Sequence, residues 1–146
     1  MDALELLEKD HQEAKSLFKK IEAASGQEAS RLWKQLSEAL TLHEKLEETH
    51  LYPQLRQDSK AHDMVLEGYE EHHVMDVLIE EIDRLKPSDE AWEPKIKVLQ
   101  ENTEHHIKEE EDDLFPRVRK VWDAEKRRQV GEKMAAMKDE RTQKAA

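Results

Sequence analysis

The sequence predicts an all-α protein: an up-down-up-down antiparallel four-helix bundle with a short additional C-terminal helix. Three observations carry this. Only 3 of the 146 residues are glycine and 4 are proline, too few for the turns of a many-stranded sheet. Glu, Lys, Leu, Ala and Gln, all good helix formers, are abundant. Apolar residues also recur at spacings of three and four along four segments of roughly 25 residues. At 1.5 Å per residue each segment is a rod of about 38 Å, and the short connections favour antiparallel neighbours. Residues 1–123 form the bundle in this reading, and 124–146 a C-terminal helix and charged tail.

The first helix runs from about Ala3 to Ala24, with Asp2 as N-cap and Glu5 completing a capping box. Its inward stripe is Leu4, Leu7, His11, Ala14, Phe18 and Ile21. Ser25-Gly26 breaks it, and Ser25 with Glu28 forms a second box. The next helix, about Gln27 to Arg56, carries Leu32, Leu36, Leu40, His43, Glu47 and Leu51, with Pro53 kinking or tightening its end. A third, about Lys60 to Leu85, follows Asp58-Ser59 and stops before Pro87. Its stripe is Val65, Tyr69, His72, Met75, Ile79 and Ile82. After Lys86–Asp89 a fourth helix starts at Glu90 or Trp92, with Pro94 in its first turn, and ends near Phe115. Ile96, Leu99, Thr103, His106, Glu110 and Leu114 form its stripe. Residues 117–146 read as one shorter helix fading into a charged tail from Lys138 to Ala146.

Composition excludes several functions. With 24 Lys or Arg against 35 Asp or Glu, the formal net charge is -11, which opposes binding to nucleic-acid phosphates. No apolar run approaches the roughly 18–20 residues of a membrane span. The acidic N-terminus lacks the basic and apolar regions of a signal peptide, so a cytoplasmic protein is expected. Cysteine is absent, removing disulfides, thiolate metal sites and Cys nucleophiles together.

Histidine interrupts the apolar stripe in all four helices, and glutamate does so in two. Buried without partners, such groups cost several kcal/mol. The chain also repeats itself: His43, Glu47, Leu51, Tyr52 and Pro53 recur as His106, Glu110, Leu114, Phe115 and Pro116, each 63 residues on. Residues four apart share a helix face. Each His-x-x-x-Glu pair therefore presents an imidazole and a carboxylate together. Two such helices, with His11 and His72 from the others, bring four His and two Glu to one depth. Imidazole with bridging carboxylate suits a pair of cations about 3.5–4 Å apart; without sulfur ligands, iron is favoured over zinc. His72 is chosen over His73 because it is in phase with Met75, Ile79 and Ile82, and the repeat selects His106 over His105. His50, His62, His73 and His105 are then solvated or at helix boundaries, with His50 nearest the stripe.

Asp10-His11 with Leu17-Phe18, His43-x-x-x-Glu47 with Leu51-Tyr52-Pro53, Glu71-His72, and His105-His106-x-x-x-Glu110 with Leu114-Phe115-Pro116 resemble the hemerythrin-like family, or HHE cation-binding domain. The resemblance covers nearly the whole chain. It implies a non-haem diiron centre of two iron ions, oxo- or hydroxo-bridged, inside a four-helix bundle. Carried over by residue, the metal ligands are His11, His43, Glu47, His72, His106 and Glu110. Oxygen-carrying members use five histidines and a His-x4-Asp pair. Here Asp76 lies four residues beyond His72, and the last helix has His-x3-Glu, so the set reads as nearly symmetric. Asp76 is either a weak ligand or imidazole acceptor, or a polar flank of the stripe. Glu44, Glu48, Glu109 and Glu111 form an acidic face from which one or two orient imidazoles; Glu44 or Glu111 is also an alternative ligand. Tyr69, one turn before His72, either fills the core or gates the site.

The functional expectation is binding or sensing of oxygen, nitric oxide or hydrogen peroxide at the iron pair. The alternatives are a diiron peroxidase or oxidase, or an iron-responsive partner-binding bundle using the C-terminal helix. No dedicated acid, base or substrate pocket is evident, so the sequence makes no commitment to catalysis. A monomer or weak homodimer, without nucleic-acid or membrane partners, is expected.

Overall fold

The structure, a computed structural model, describes residues 1–145. It is all-helical, with helices α1 (Ala3–Glu22), α2 (Gly26–His50), α3 (Tyr52–Leu55), α4 (His62–Asp83), α5 (Trp92–Glu109), a π-helical turn (Glu110–Leu114), α6 (Phe115–Val121) and α7 (Ala124–Ala145). The rods α1, α2, α4 and α5 close a four-sided bundle, each packing against two others. No helix among the described residues is long and apolar enough to cross a membrane.

The local signals act largely as expected. Asp2 Oδ1 accepts from the Glu5 amide at 2.9 Å, and Glu5 returns the bond to the Asp2 amide. The second box does not form. Ser25 makes no side-chain cap, and the Glu28 carboxylate that would complete the box pairs with Arg31 at 2.6 Å. Gly26 takes φ +56°, a left-handed conformation that only glycine adopts without strain, so the chain can reverse there.

The two prolines of the repeat shape the rod ends differently. Leu51 leaves the helical path (φ -113°, ψ -60°), and Pro53 opens the short α3. Pro116 does not end the fourth rod. Its missing N–H is absorbed by the π turn, whose closing bond runs from the Phe115 amide to the Glu110 carbonyl, and the rod continues to Val121. Residues 117–121 therefore belong to the bundle. The additional helix α7 spans 22 residues and lies along α1 and α2; Ala146 is outside the described residues. A Cβ on Gly131 would come within 2.5 Å of the Met1 carbonyl. Glycine therefore lets α7 approach the N-terminus, with Val130 and Met134 buried beneath it.

The apolar interior is two clusters. One holds Leu4, Leu7, Leu46, Leu55, Val118 and Met134. The other holds Phe18, Trp33, Leu36, Ile82, Trp92 and Leu99, where Trp33 Nε1 donates to Asp83 at 2.8 Å. Between them lies a polar layer.

Candidate metal centre

That layer contains nearly all the buried ionisable groups: His11, His43, Glu47, His72, His106 and Glu110, each at most 8% exposed, with Glu44 beside them. These six are the residues marked out by the interrupted stripes, and the bundle brings all six together. Their neighbours in the doublets, His73 and His105, are exposed. His62 sits at the start of α4, bonded to the Arg56 carbonyl. His50 lies off the layer, facing Lys133, and burial with that charge lowers its pKa.

The two glutamates span the layer. Glu47 points Oε1 at His72 Nε2 (2.9 Å) and His106 Nε2 (3.5 Å), and Oε2 at His43 Nε2 (3.5 Å). Glu110 points Oε1 at His11 Nε2 (3.2 Å) and Oε2 at His106 Nε2 (3.3 Å). Each carboxylate thus gives one oxygen to each histidine pair. Four of these atoms, His11 Nε2, His43 Nε2, Glu47 Oε2 and Glu110 Oε1, are buried without a hydrogen-bond partner. They also lie mutually within 4.8 Å. An unsatisfied buried polar group costs about 1–3 kcal/mol, a heavy load for a domain stable by roughly 5–15 kcal/mol. A cation would satisfy all four atoms at once.

Every inward histidine has its other nitrogen fixed. Asp10 accepts from His43 Nδ1 (3.1 Å), Glu48 from His72 Nδ1 (2.8 Å), Glu71 from His106 Nδ1 (2.5 Å) and Glu111 from His11 Nδ1 (2.7 Å). These bonds set the tautomer that leaves Nε2 facing the centre. They also form a closed circuit, since α1 holds the imidazole of α2, α2 that of α4, α4 that of α5, and the π turn that of α1. Glu48 and Glu111 are thus imidazole-orienting residues, as the acidic face allowed. Asp10 and Glu71, quoted only as neighbours of His11 and His72, are the two that sequence reasoning left without a role. Glu109 binds exposed His105 at 2.8 Å.

Tyr52 was missed outright. Its hydroxyl donates to Glu110 Oε2 at 2.7 Å and lies 3.3 Å from Glu47 Oε1 and 3.4 Å from both His72 Nε2 and His106 Nε2. It reaches this point because Gly68 makes room: a Cβ there would stand 2.8 Å from the hydroxyl. Tyr69 only meets the Tyr52 ring edge-on. Asp76 is exposed and outside the layer. Burial and the Asp76 carboxyl push Glu44 up to about 10, so it is a neutral acid on the outer side of His72.

The charges respond to one another. Burial alone would lower the His43 imidazole, but Glu47 and Asp10 override it and raise it to about 10. Burial likewise opposes protonation of His106, and Glu110, Glu47 and Glu71 hold it well above its ordinary value. Burial would raise Glu47, yet His43 and its other neighbours keep it well below the carboxylate range. The two buried acids thus draw positive charge into the layer, and on protein groups alone protons occupy that role.

A family model for the Hemerythrin HHE cation binding domain matches residues 2–118. The chain belongs to this family. Among solved structures, a Hemerythrin HHE cation binding domain-containing protein from Mycobacterium kansasii superposes with TM-score 0.85 at 27% identity, over 98% of this chain and 89% of that one. A curated protein of Nostoc sp., described as a DNA nickase, is 27% identical over 139 residues. The match takes in 94% of this chain and 39% of that protein. As an HHE protein with a buried His/Glu cluster, the chain is metal-binding.

Proposed function

We propose that this HHE protein holds two iron ions and binds a small ligand (oxygen, nitric oxide or hydrogen peroxide) at them. One observation carries the reading: Glu47 and Glu110 each direct one oxygen to the His11–His43 pair and the other to the His72–His106 pair. A single cation would need only one such half. His11, His43, Glu47 and Glu110 would hold one iron. His72, His106 and the same two glutamates would hold the other, with the Tyr52 hydroxyl at hand. Imidazole with carboxylate and no sulfur suits iron. A reduced pair would supply electrons and an open coordination position to the small ligand. The chain's own residues orient the imidazoles, keep bulk water out between two apolar clusters, and bring the Tyr52 proton to Glu110 Oε2.

Purified protein should contain about two irons per chain, with charge-transfer absorption in the oxidised form. Anaerobic reduction, then separate exposure to oxygen, nitric oxide and peroxide, should change that spectrum for at least one of them. Zinc alone, or no metal, would sink the proposal. Catalytic turnover of peroxide would move the reading to a diiron peroxidase. The chain spans 39% of the Nostoc nickase, and its charge of -11 opposes a polyphosphate, so we assign it no action on DNA.

A further inference from the structure

Cysteine is absent from the chain, so tyrosine and tryptophan are the side chains that most readily give up a single electron. The chain has two tyrosines, and they touch. Tyr52 lies against the polar layer at 1% exposure. Tyr69 meets its ring edge-on, with centroids 5.1 Å apart, a contact distance for aromatic pairs, and is itself only half-buried. The tryptophans are placed differently. Trp33 and Trp92 meet each other in the far apolar cluster, and Trp122 has the Lys126 ammonium over its ring, which makes an electron harder to remove.

The tyrosine pair also has an outlet for a proton. Tyr52 donates to Glu110 Oε2 at 2.7 Å, within the reach that proton transfer needs. Gly68 and Tyr69 are consecutive on α4: the first admits the Tyr52 hydroxyl and the second covers its ring. On the opposite half of the layer Phe115 stacks on His11 and has no proton to lose. The path from layer to surface is therefore one-sided.

We infer that Tyr52 and Tyr69 form a relay that drains oxidising equivalents from the metal centre to the protein surface. The inference rests on the diiron reading and singles out hydrogen peroxide within it. Peroxide takes up two electrons and two protons to become two waters, and an already oxidised iron pair is a poor source of those electrons. Tyr52 supplies one and passes its phenolic proton to Glu110 Oε2. An electron from the Tyr69 ring then restores Tyr52, which takes the proton back from Glu110. Tyr69 loses its own proton to water and stands as a neutral radical until a soluble one-electron donor, such as ascorbate, returns an electron and a proton. A second pass with a second donor completes the reduction of one peroxide. The buried imidazoles are thereby spared oxidation.

The test mixes oxidised, iron-loaded protein with peroxide, freezes it rapidly and records the electron paramagnetic resonance spectrum. Wild type should show a tyrosyl radical that ascorbate quenches. Tyr69→Phe, with iron content unchanged, should leave the radical on Tyr52, where ascorbate quenches it several-fold more slowly, and mass spectrometry should find more oxidised histidine. Tyr52→Phe, reloaded with excess iron until the pair is bound, should give no tyrosyl signal although Tyr69 is present. An iron pair whose absorption responds to peroxide without any tyrosyl radical overturns the relay alone. So does a Tyr69 radical at wild-type yield in Tyr52→Phe, or equal quenching in wild type and Tyr69→Phe. A loaded centre that ignores peroxide overturns the relay and leaves oxygen or nitric oxide as the ligand. A wild-type chain that takes up no iron pair overturns the diiron reading and this inference with it.

Discussion

On the His72–His106 side of the centre, Tyr52 stacks on His72 with ring centroids 5.3 Å apart and sets its hydroxyl among the donor atoms. On the His11–His43 side, Phe115 stacks on His11 at 5.8 Å and brings no oxygen. The two aromatics occupy the same place in the 63-residue repeat. A pseudo-symmetric pair of half-sites is thus made unequal by one oxygen atom, leaving one half capped and the other with four unpartnered donors. An iron pair in this frame would have one crowded and one accessible member.

The strongest way to break the comparison is to remove what the halves share. Glu47→Ala should weaken binding of both cations by at least about a hundredfold, since breaking a buried charged set costs ~3 kcal/mol or more; metal analysis after dialysis reads it. Next comes a swap. Tyr52→Phe makes both halves bare and should weaken the second cation about tenfold in stepwise metal titration, the scale of one lost polar contact. Phe115→Tyr gives both halves a hydroxyl and should narrow the gap between the two cation affinities in the same titration.

The halves can then be addressed separately through their outer carboxylates. Glu48→Gln should weaken the His72–His106 half about 10–100-fold, and Glu111→Gln the His11–His43 half by a similar factor. Equal loss from both halves in either variant would contradict independent orientation. The smallest effect concerns pH in the metal-free protein. The His43 pKa is raised from 6.5 to about 10, so its stabilisation is complete below pH 6.5 and is lost as pH rises toward 10. Glu47 is depressed from 4.5, so its share is present above that pH and lost on acidification. The melting temperature of apoprotein should therefore peak on the acid side of neutrality, and iron should shift the optimum upward by displacing the His43 proton.

The sequence made the bundle and the six layer residues legible because both obey helical periodicity. A histidine or glutamate at the period of leucine stands out, and the repeat chose His106 over His105. Tyr52 escaped because it follows Leu51, where the helical path breaks, so periodicity projected from α2 cannot place it. Its signal was available as the Tyr52–Phe115 mismatch within an otherwise matched repeat. Asp10 and Glu71 escaped because they serve histidines on neighbouring helices, a relation no single-helix pattern contains. The course of residues 117–121 was hidden by Pro116, whose ordinary reading is a helix stop and whose effect here is a π turn.

The circuit of outer carboxylates makes vertical alignment of the rods a condition of function. Each rod both gives an acceptor to the next and receives one from the last. Sliding any one by a helical turn, about 5.4 Å, severs two of the four links at once. A misregistered bundle could still bury its leucines, but two imidazoles would swing free and the centre could not load. Metal uptake by this chain thus doubles as proofreading of its own assembly.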